Sequence, residues 1–171
     1  MLTIDIRLKS MLSHWPSQDG GSEGFHITTK DTGDMPTEKA LYGMFECAFG
    51  YTDEYKEEKA QLEQRVHIRN IRRTIPNSRP FRRIGYLTTC SPTIKGEKFP
   101  TGSGKYKDSP PSMTVKKYIV DSDYTVTVDI DDSLANEFIE RLRHPRFAYY
   151  FGMRCCTPTV NLFDTYKVGG H

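Results

Sequence analysis

Residues 116–145 read KKYIVDSDYTVTVDIDDSLANEFIERLRHP. The first half has strand character, with apolar residues alternating against polar ones from Tyr124 onward. The second half is an amphipathic helix. Asp132 or Ser133 caps it, Leu134, Phe138, Ile139 and Leu142 form its apolar face, and Pro145 lies past its end. A strand running straight into a helix is half of a β-α pattern, and the remainder of the chain supplies its counterparts.

Upstream, LTIDIRLKS (Leu2–Ser10) sets Leu2, Ile4, Ile6 and Leu8 at period two, a half-buried strand. HWPSQDGGSEG breaks it, and the stretch up to Asp34 reads as loop. MPTEKALYGMFECAFGY (Met35–Tyr51) is the strongest helix. Pro36 suits a first helical position, Leu41, Met44, Phe45, Ala48 and Phe49 share a face, and Gly50 stops it. Gly43, inside that helix, costs up to ~1 kcal/mol relative to alanine, so something approaches closely there, another helix or a ligand backbone. DEYKEEKAQLEQ is a charged, exposed helix. RVHIRNIRRTI points Val66, Ile68 and Ile71 inward and its arginines outward, and NSRPFRRIGYLTT is a second basic strand. Residues 91–113 hold four prolines, three glycines and four lysines with little apolar content, which reads as a basic protruding loop. The order is β-α-β-β-α-β with an extra charged helix and an insertion. The expected fold is therefore α+β, ferredoxin-like and shared with RNA-recognition modules, in one domain over residues 1–171.

Composition narrows the function. No apolar run approaches the ~20 residues that span a membrane, and Asp5, Arg7 and Lys9 interrupt the N-terminus, so no signal peptide is read and a cytoplasmic location is expected. Cys47, Cys90, Cys155 and Cys156 form no Cys-x-x-Cys pair, hence no disulfide framework or zinc signature. They read as packing thiols, with no metal or other cofactor expected. The net charge of +2 hides a strong asymmetry. Residues 65–117 carry 13 basic and 2 acidic side chains, whereas residues 1–64 carry 6 and 12. One strongly positive zone on a near-neutral chain points to a polyanion partner.

Four stretches together resemble a known family: LKSMLSHW at the end of the first strand; MPTEKALYGMFECAFGY; VKKYIVDSDYTVTVDI; and LRHPRFAYYFGMRCCTPTVNLF, with Pro145, Arg146, Tyr150, Gly152, Arg154 and Cys156 at the motif positions. The chain is similar to the fifth Cas protein family in its type I-E, CasD-like form. The resemblance covers most of the chain, weakly between Tyr51 and Thr89. Relatives of that form run further at the C-terminus than His171, which leaves contacts of such a tail open. The resemblance implies a non-catalytic subunit of a type I CRISPR Cascade complex that caps the 5′ handle of the CRISPR RNA. It implies a thumb at about residues 90–114 over the handle–spacer junction. Backbone and large subunits would be its neighbours, and target DNA would be met through the assembled complex.

The candidate RNA contacts follow. Gly152 would let phosphates reach main-chain N–H groups, Arg154 would add a bidentate phosphate contact, and Tyr149, Tyr150 or Phe151 would stack on a base, with some of the three belonging to the core. Thr37, Lys39, Tyr42 and Gly43 lie at or near a helix N-terminus that favours phosphate. Trp15 stacks on a base or packs on the core. Lys95, Lys98, Lys105, Tyr106 and Lys107 of the thumb, with Lys116 and Lys117, would make salt-dependent contacts. Arg69, Arg72, Arg73, Arg82 and Arg83 form a second basic set for RNA or a partner subunit. The alternative readings are a metal-independent endoribonuclease processing precursor CRISPR RNA and a basic protein-interaction module. The first would draw on His14, His26, His67, Tyr42, Lys116 or Lys117 as base and cation, yet no two histidines share a convincing spacing.

Overall fold

A computed structural model describes residues 1–16, 22–23, 27–74, 82–90, 99–100, 106–107, 112–159, 162 and 167–168. In chain order the elements are β1 (Leu2–Ser13), β2 (Trp15–Pro16), β3 (Ser22–Glu23), β4 (Ile27–Lys30), β5 (Thr32–Gly33), α1 (Glu38–Phe49), α2 (Lys56–Arg65), β6 (Val66–Arg73), β7 (Arg82–Cys90), β8 (Phe99–Pro100), β9 (Tyr106–Lys107), β10 (Ser112–Ile130), α3 (Asp132–Arg143) and β11 (Lys167–Val168). The result is a mixed α and β fold with a largely antiparallel sheet.

The strand of the opening quotation, β10, organises that sheet. It is 19 residues long and turns at Asp121, whose φ of 53° is tolerable for an aspartate but rare in other residues. Its C-terminal half lies between β1 and β6, both antiparallel to it, and β11 adds outside β1. Its N-terminal half pairs with β7 antiparallel and with β4 parallel. The parallel β4 lies where the sequence reads only loop, because its four residues, ITTK, are too short to show a period. The insertion between β7 and β10 is likewise not wholly irregular: Phe99–Pro100 pairs with Tyr106–Lys107. The remaining thumb positions, including Lys95, Lys98 and Lys105, lie outside the described residues, as does His26. Further on, Leu162 is buried and Lys167–Val168 pairs with β1, while Val160, Asn161 and Phe163 lie outside the described residues.

One face of the sheet is apolar. Ile4, Ile6 and Leu8 of β1 meet Val128, Val126 and Tyr124 of β10, and all are buried. α1 adds Leu41, Met44, Phe45, Ala48 and Phe49, and α3 adds Leu134, Ala135, Phe138 and Leu142, to the same core. Phe45 and Phe138 meet edge to face at 5.1 Å. Small differences from expectation are local. α1 begins at Glu38, with Thr37 as its cap and Pro36 ahead of it. α3 is capped by Asp131, whose side chain makes no capping bond. Ile139 is half-buried, and Ala135 takes its place in the core.

β6 solves a problem in its own sequence. Ile68 and Ile71 are three apart, so a regular strand would turn one of them outward. The register shifts between Thr127 and Val128, leaving Arg69 without an opposing residue, and both isoleucines then pack against the core. The same shift returns Arg73 to the inner side, opposite Tyr124. The expectation that all the β6 arginines share the outer face is therefore corrected for Arg73.

The outer face is a mosaic of opposite charges. Arg7 grips Asp123 with Nε at 2.8 Å and Nη2 at 2.5 Å, Arg69 pairs with Asp129, and Arg72 reaches Asp5 at 3.3 Å. Thr3 donates to Asp129 at 2.6 Å and Thr127 to Asp5 at 2.5 Å. Burial pushes the Asp123 carboxyl up, but bonds from Arg7 and Thr74, with the charges of Arg7 and Lys9, hold it below the usual carboxylate range. Asp31 is held low by Lys117 and by the Thr32 N–H. A folded-state pKa below the unfolded one contributes stability above the unfolded value, near pH 4, and that contribution is lost as pH falls through the folded value. The melting temperature is thus expected to drop below about pH 4. Arg7→Gln should raise the Asp123 pKa toward or past its unfolded value, lower the melting temperature near neutral pH and shrink that acid drop, a change that thermal scans from pH 3 to 7 would read. An unchanged acid limb would remove Asp123 from the account.

Candidate nucleic-acid interface

The segment after α3 is fastened at two places. Its first turn closes the end of α1: Arg146 N–H donates to Ala48 O at 3.0 Å and Phe147 N–H to Cys47 O at 3.1 Å, satisfying carbonyls the helix cannot pair internally. Gly50, the α1 cap at φ 81°, leaves room for the Arg146 side chain, whose Cγ would lie 2.9 Å from any Cβ there. Further on, His14 N–H donates to Phe151 O at 2.9 Å, and Phe151 packs on Trp15 with ring centres 5.7 Å apart. Gly152, at φ 90°, presses against the His14 backbone. A Cβ on it would overlap the His14 carbonyl oxygen and lie 2.7 Å from its carbon. Three of the motif stretches thus meet in space, each through a glycine or a backbone bond.

This placement gives several of the expected site residues a part in the fold. The side of Gly152 that lacks a Cβ is filled by His14, so the glycine serves chain packing there. Trp15 is 2% exposed, wedged between Tyr124 and Phe151, and offers no face to a base. Tyr42 is half-buried and donates to Val66 O at 2.8 Å, and burial raises its pKa. Thr37 Oγ1 accepts from Ala40 N–H at 3.2 Å, so its hydroxyl belongs to the helix cap. Burial pushes the Cys156 thiol up to about 12, as expected of a packing residue, while Cys155 is exposed with its Sγ 4.0 Å from that of Cys156.

Charge separates the remaining candidates. Arg69 and Arg72 are paired as above, Arg83 pairs with Asp34, and Lys117 pairs with Asp31 at 3.1 Å. Among the described residues, these cations of the basic zone are therefore paired with aspartates from distant parts of the chain. Arg82 and Lys107 are placed by backbone alone, in β7 and β9, and Tyr106 with them in β9. Lys116 is half-buried in β10. By contrast Lys39, Arg146 and Arg154 are exposed and make no ion pair among the described residues. Beside the two arginines, Phe147 is 45% exposed and Tyr150 41%. Exposed arginines interleaved with exposed aromatics are what a single nucleic-acid strand needs, phosphate contact and stacking together. Arg146 was marked from sequence only as a motif position, and Phe147 was not singled out. The signal was present in their position directly after the Pro145 that ends α3.

The sheet itself is a poor platform for bases. On the outer face of β1, β6 and the C-terminal half of β10 the described side chains include no Phe, Tyr or Trp, whereas RNA-recognition modules stack bases on aromatics of their sheet.

Comparison with known proteins now adds the decisive finding. The family described as CRISPR-associated protein (Cas_Cas5) matches the chain over residues 17–171. The chain belongs to the Cas5 family. Among solved structures, this Cas5-family chain is similar to one titled "CRISPR RNA-guided surveillance complex", with a TM-score of 0.63 and 24% identity over 94% of this chain and 61% of that one. Another, titled "Crystal structure of Cas protein", gives 0.49 and 20% over 93% of this chain and 60% of that one. The first likeness is one of fold, and the Cas5-family chain spans about three fifths of the length of either structure. No curated protein matches it.

Proposed function

We propose that this Cas5-family chain is a non-catalytic CRISPR-RNA-binding subunit of a type I Cascade complex, of the I-E form, and that it caps the 5′ handle of the guide. The observation that carries the proposal is the family match over nearly the whole chain. The ferredoxin-like reading of its body rests on the strand order β11-β1-β10-β6, which with α1 and α3 gives β-α-β-β-α-β. The hairpin of β8 and β9 would belong to the thumb at residues 90–114 that covers the handle–spacer junction. Backbone and large subunits would be its protein neighbours, and target DNA would be engaged through the whole assembly.

Two placements support a binding rather than a cleaving role. His14 is buried with its Nδ1 2.8 Å from Lys117 O, at one end of the β1–β10 ladder, while His67 lies opposite Asp129 at the other. Tyr42 and Lys117 are already engaged. General acid–base chemistry on a 2′-OH needs such groups gathered within hydrogen-bond reach.

The test is to incubate the full chain, without metal, with a precursor CRISPR RNA carrying two repeats, and to run native and denaturing gels side by side. A native shift with intact RNA is expected. Cleavage within the repeat would overturn the non-catalytic role, and a shift equal for handle-mutated RNAs would overturn handle recognition. Arg154→Ala should weaken binding roughly tenfold, as loss of a charge-assisted contact does.

A further inference from the structure

α1 carries a glycine that the packing of the described residues does not require. A Cβ at Gly43 would meet none of the described residues within 4 Å, and the residue is half-exposed, so neither their packing nor the backbone conformation excludes a side chain there. Glycine is nonetheless unfavourable inside a helix. Lys39, Gly43 and Cys47 stand four residues apart and therefore form one line along α1, away from the buried Leu41, Met44, Phe45, Ala48 and Phe49. The line is about 12 Å long at the helical rise. It starts at an exposed lysine with no ion pair among the described residues. It ends where Phe147 N–H bonds to Cys47 O, beside the exposed Phe147 ring and the exposed, likewise unpaired Arg146.

We propose that this line is a track for a single RNA strand: Lys39 and Arg146 hold phosphates at its two ends, the sugar–phosphate backbone passes against bare Gly43, and an unpaired base stacks on Phe147. Its length fits three to four nucleotides at the roughly 3.4 Å spacing of a stacked strand. The charge pattern favours RNA over a protein helix, because the cations that line the track have no carboxylate partner among the described residues whereas the sheet-face arginines have them. The inference rests on the RNA-binding role proposed above and assigns it a surface on α1.

The test compares the full chain with Gly43→Leu and Phe147→Ala, and with Lys56→Ala of α2 as a control. Each is titrated against a fluorescein-labelled repeat RNA bearing the 5′ handle, and against the same RNA with single 2-aminopurine substitutions, and each is melted thermally. Gly43→Leu is expected to melt at or above the wild-type temperature, since leucine is the better helix former and the space is open, yet to bind RNA at least about tenfold more weakly. Phe147→Ala should keep its melting temperature within a few degrees and lose both affinity and the quenching of one 2-aminopurine. Lys56→Ala should match wild type in both readouts. Wild-type affinity in Gly43→Leu and Phe147→Ala would overturn the track while leaving the proposed function standing. A lowered melting temperature in Gly43→Leu would give the glycine an internal role and overturn it too. Failure of the wild type to bind the RNA would overturn both readings together.

Discussion

Gly152→Ala is expected to cost on the order of 3–5 kcal/mol, enough to unfold a large share of a domain whose total stability is typically about 5–15 kcal/mol. Two effects combine. At φ 90° an alanine is strained, and its Cβ would overlap the carbonyl oxygen of His14. That oxygen is backbone, so no side-chain rotation relieves the overlap. The loop has to lift, giving up the His14–Phe151 bond and the contact of Phe151 with Trp15. Urea denaturation followed by circular dichroism reads the loss. Gly43→Ala in the same assay should instead stabilise by roughly 0.5–1 kcal/mol. The opposite signs matter, because both glycines belong to motif stretches and only one is structural within this chain. A Gly152→Ala protein within about 1 kcal/mol of wild type would show that the loop adapts and that the close approach is not required.

Trp15→Ala should lose about 3–5 kcal/mol, the usual range for removing a large aromatic from a core. The indole touches Tyr124 on β10 and Phe151 on the loop, so its removal takes away the wedge between them. A specific consequence follows for Cys156, which is fully buried beneath that loop. In wild type its thiol should resist a thiol reagent, both because it is covered and because burial raises its pKa to about 12. In Trp15→Ala it should become labelled, whereas exposed Cys155 should react in both proteins. A variant with full stability and selectively lost RNA affinity would put the indole on RNA instead of in the core.

Much of the fold was legible because its signals are local. Period two in LTIDIRLKS, helical spacing from Leu41 to Phe49, and the cap, apolar stripe and proline of α3 each reflect geometry within one element. Family motifs then placed the chain, and the match over residues 17–171 agrees with them. Short strands such as β4 escaped, since four residues carry no period and pairing with β10 alone makes them strands.

The candidate site was less legible, for a physical reason. Sequence records which charges and glycines a chain owns, but not what faces them. It showed a basic middle, the motif glycines Gly43, Gly50 and Gly152, and two arginines around an aromatic loop. Only the tertiary structure brought Asp5, Asp123, Asp129 and Asp34 onto Arg72, Arg7, Arg69 and Arg83, because β1, β6 and β10 are neighbours in the sheet and far apart in the chain. Only it filled the space beside Gly50 with Arg146 and beside Gly152 with His14, and set no described residue beside Gly43. A charge acts through its nearest partner and a glycine through the atom it admits. Both are long-range contacts, set when the elements pack.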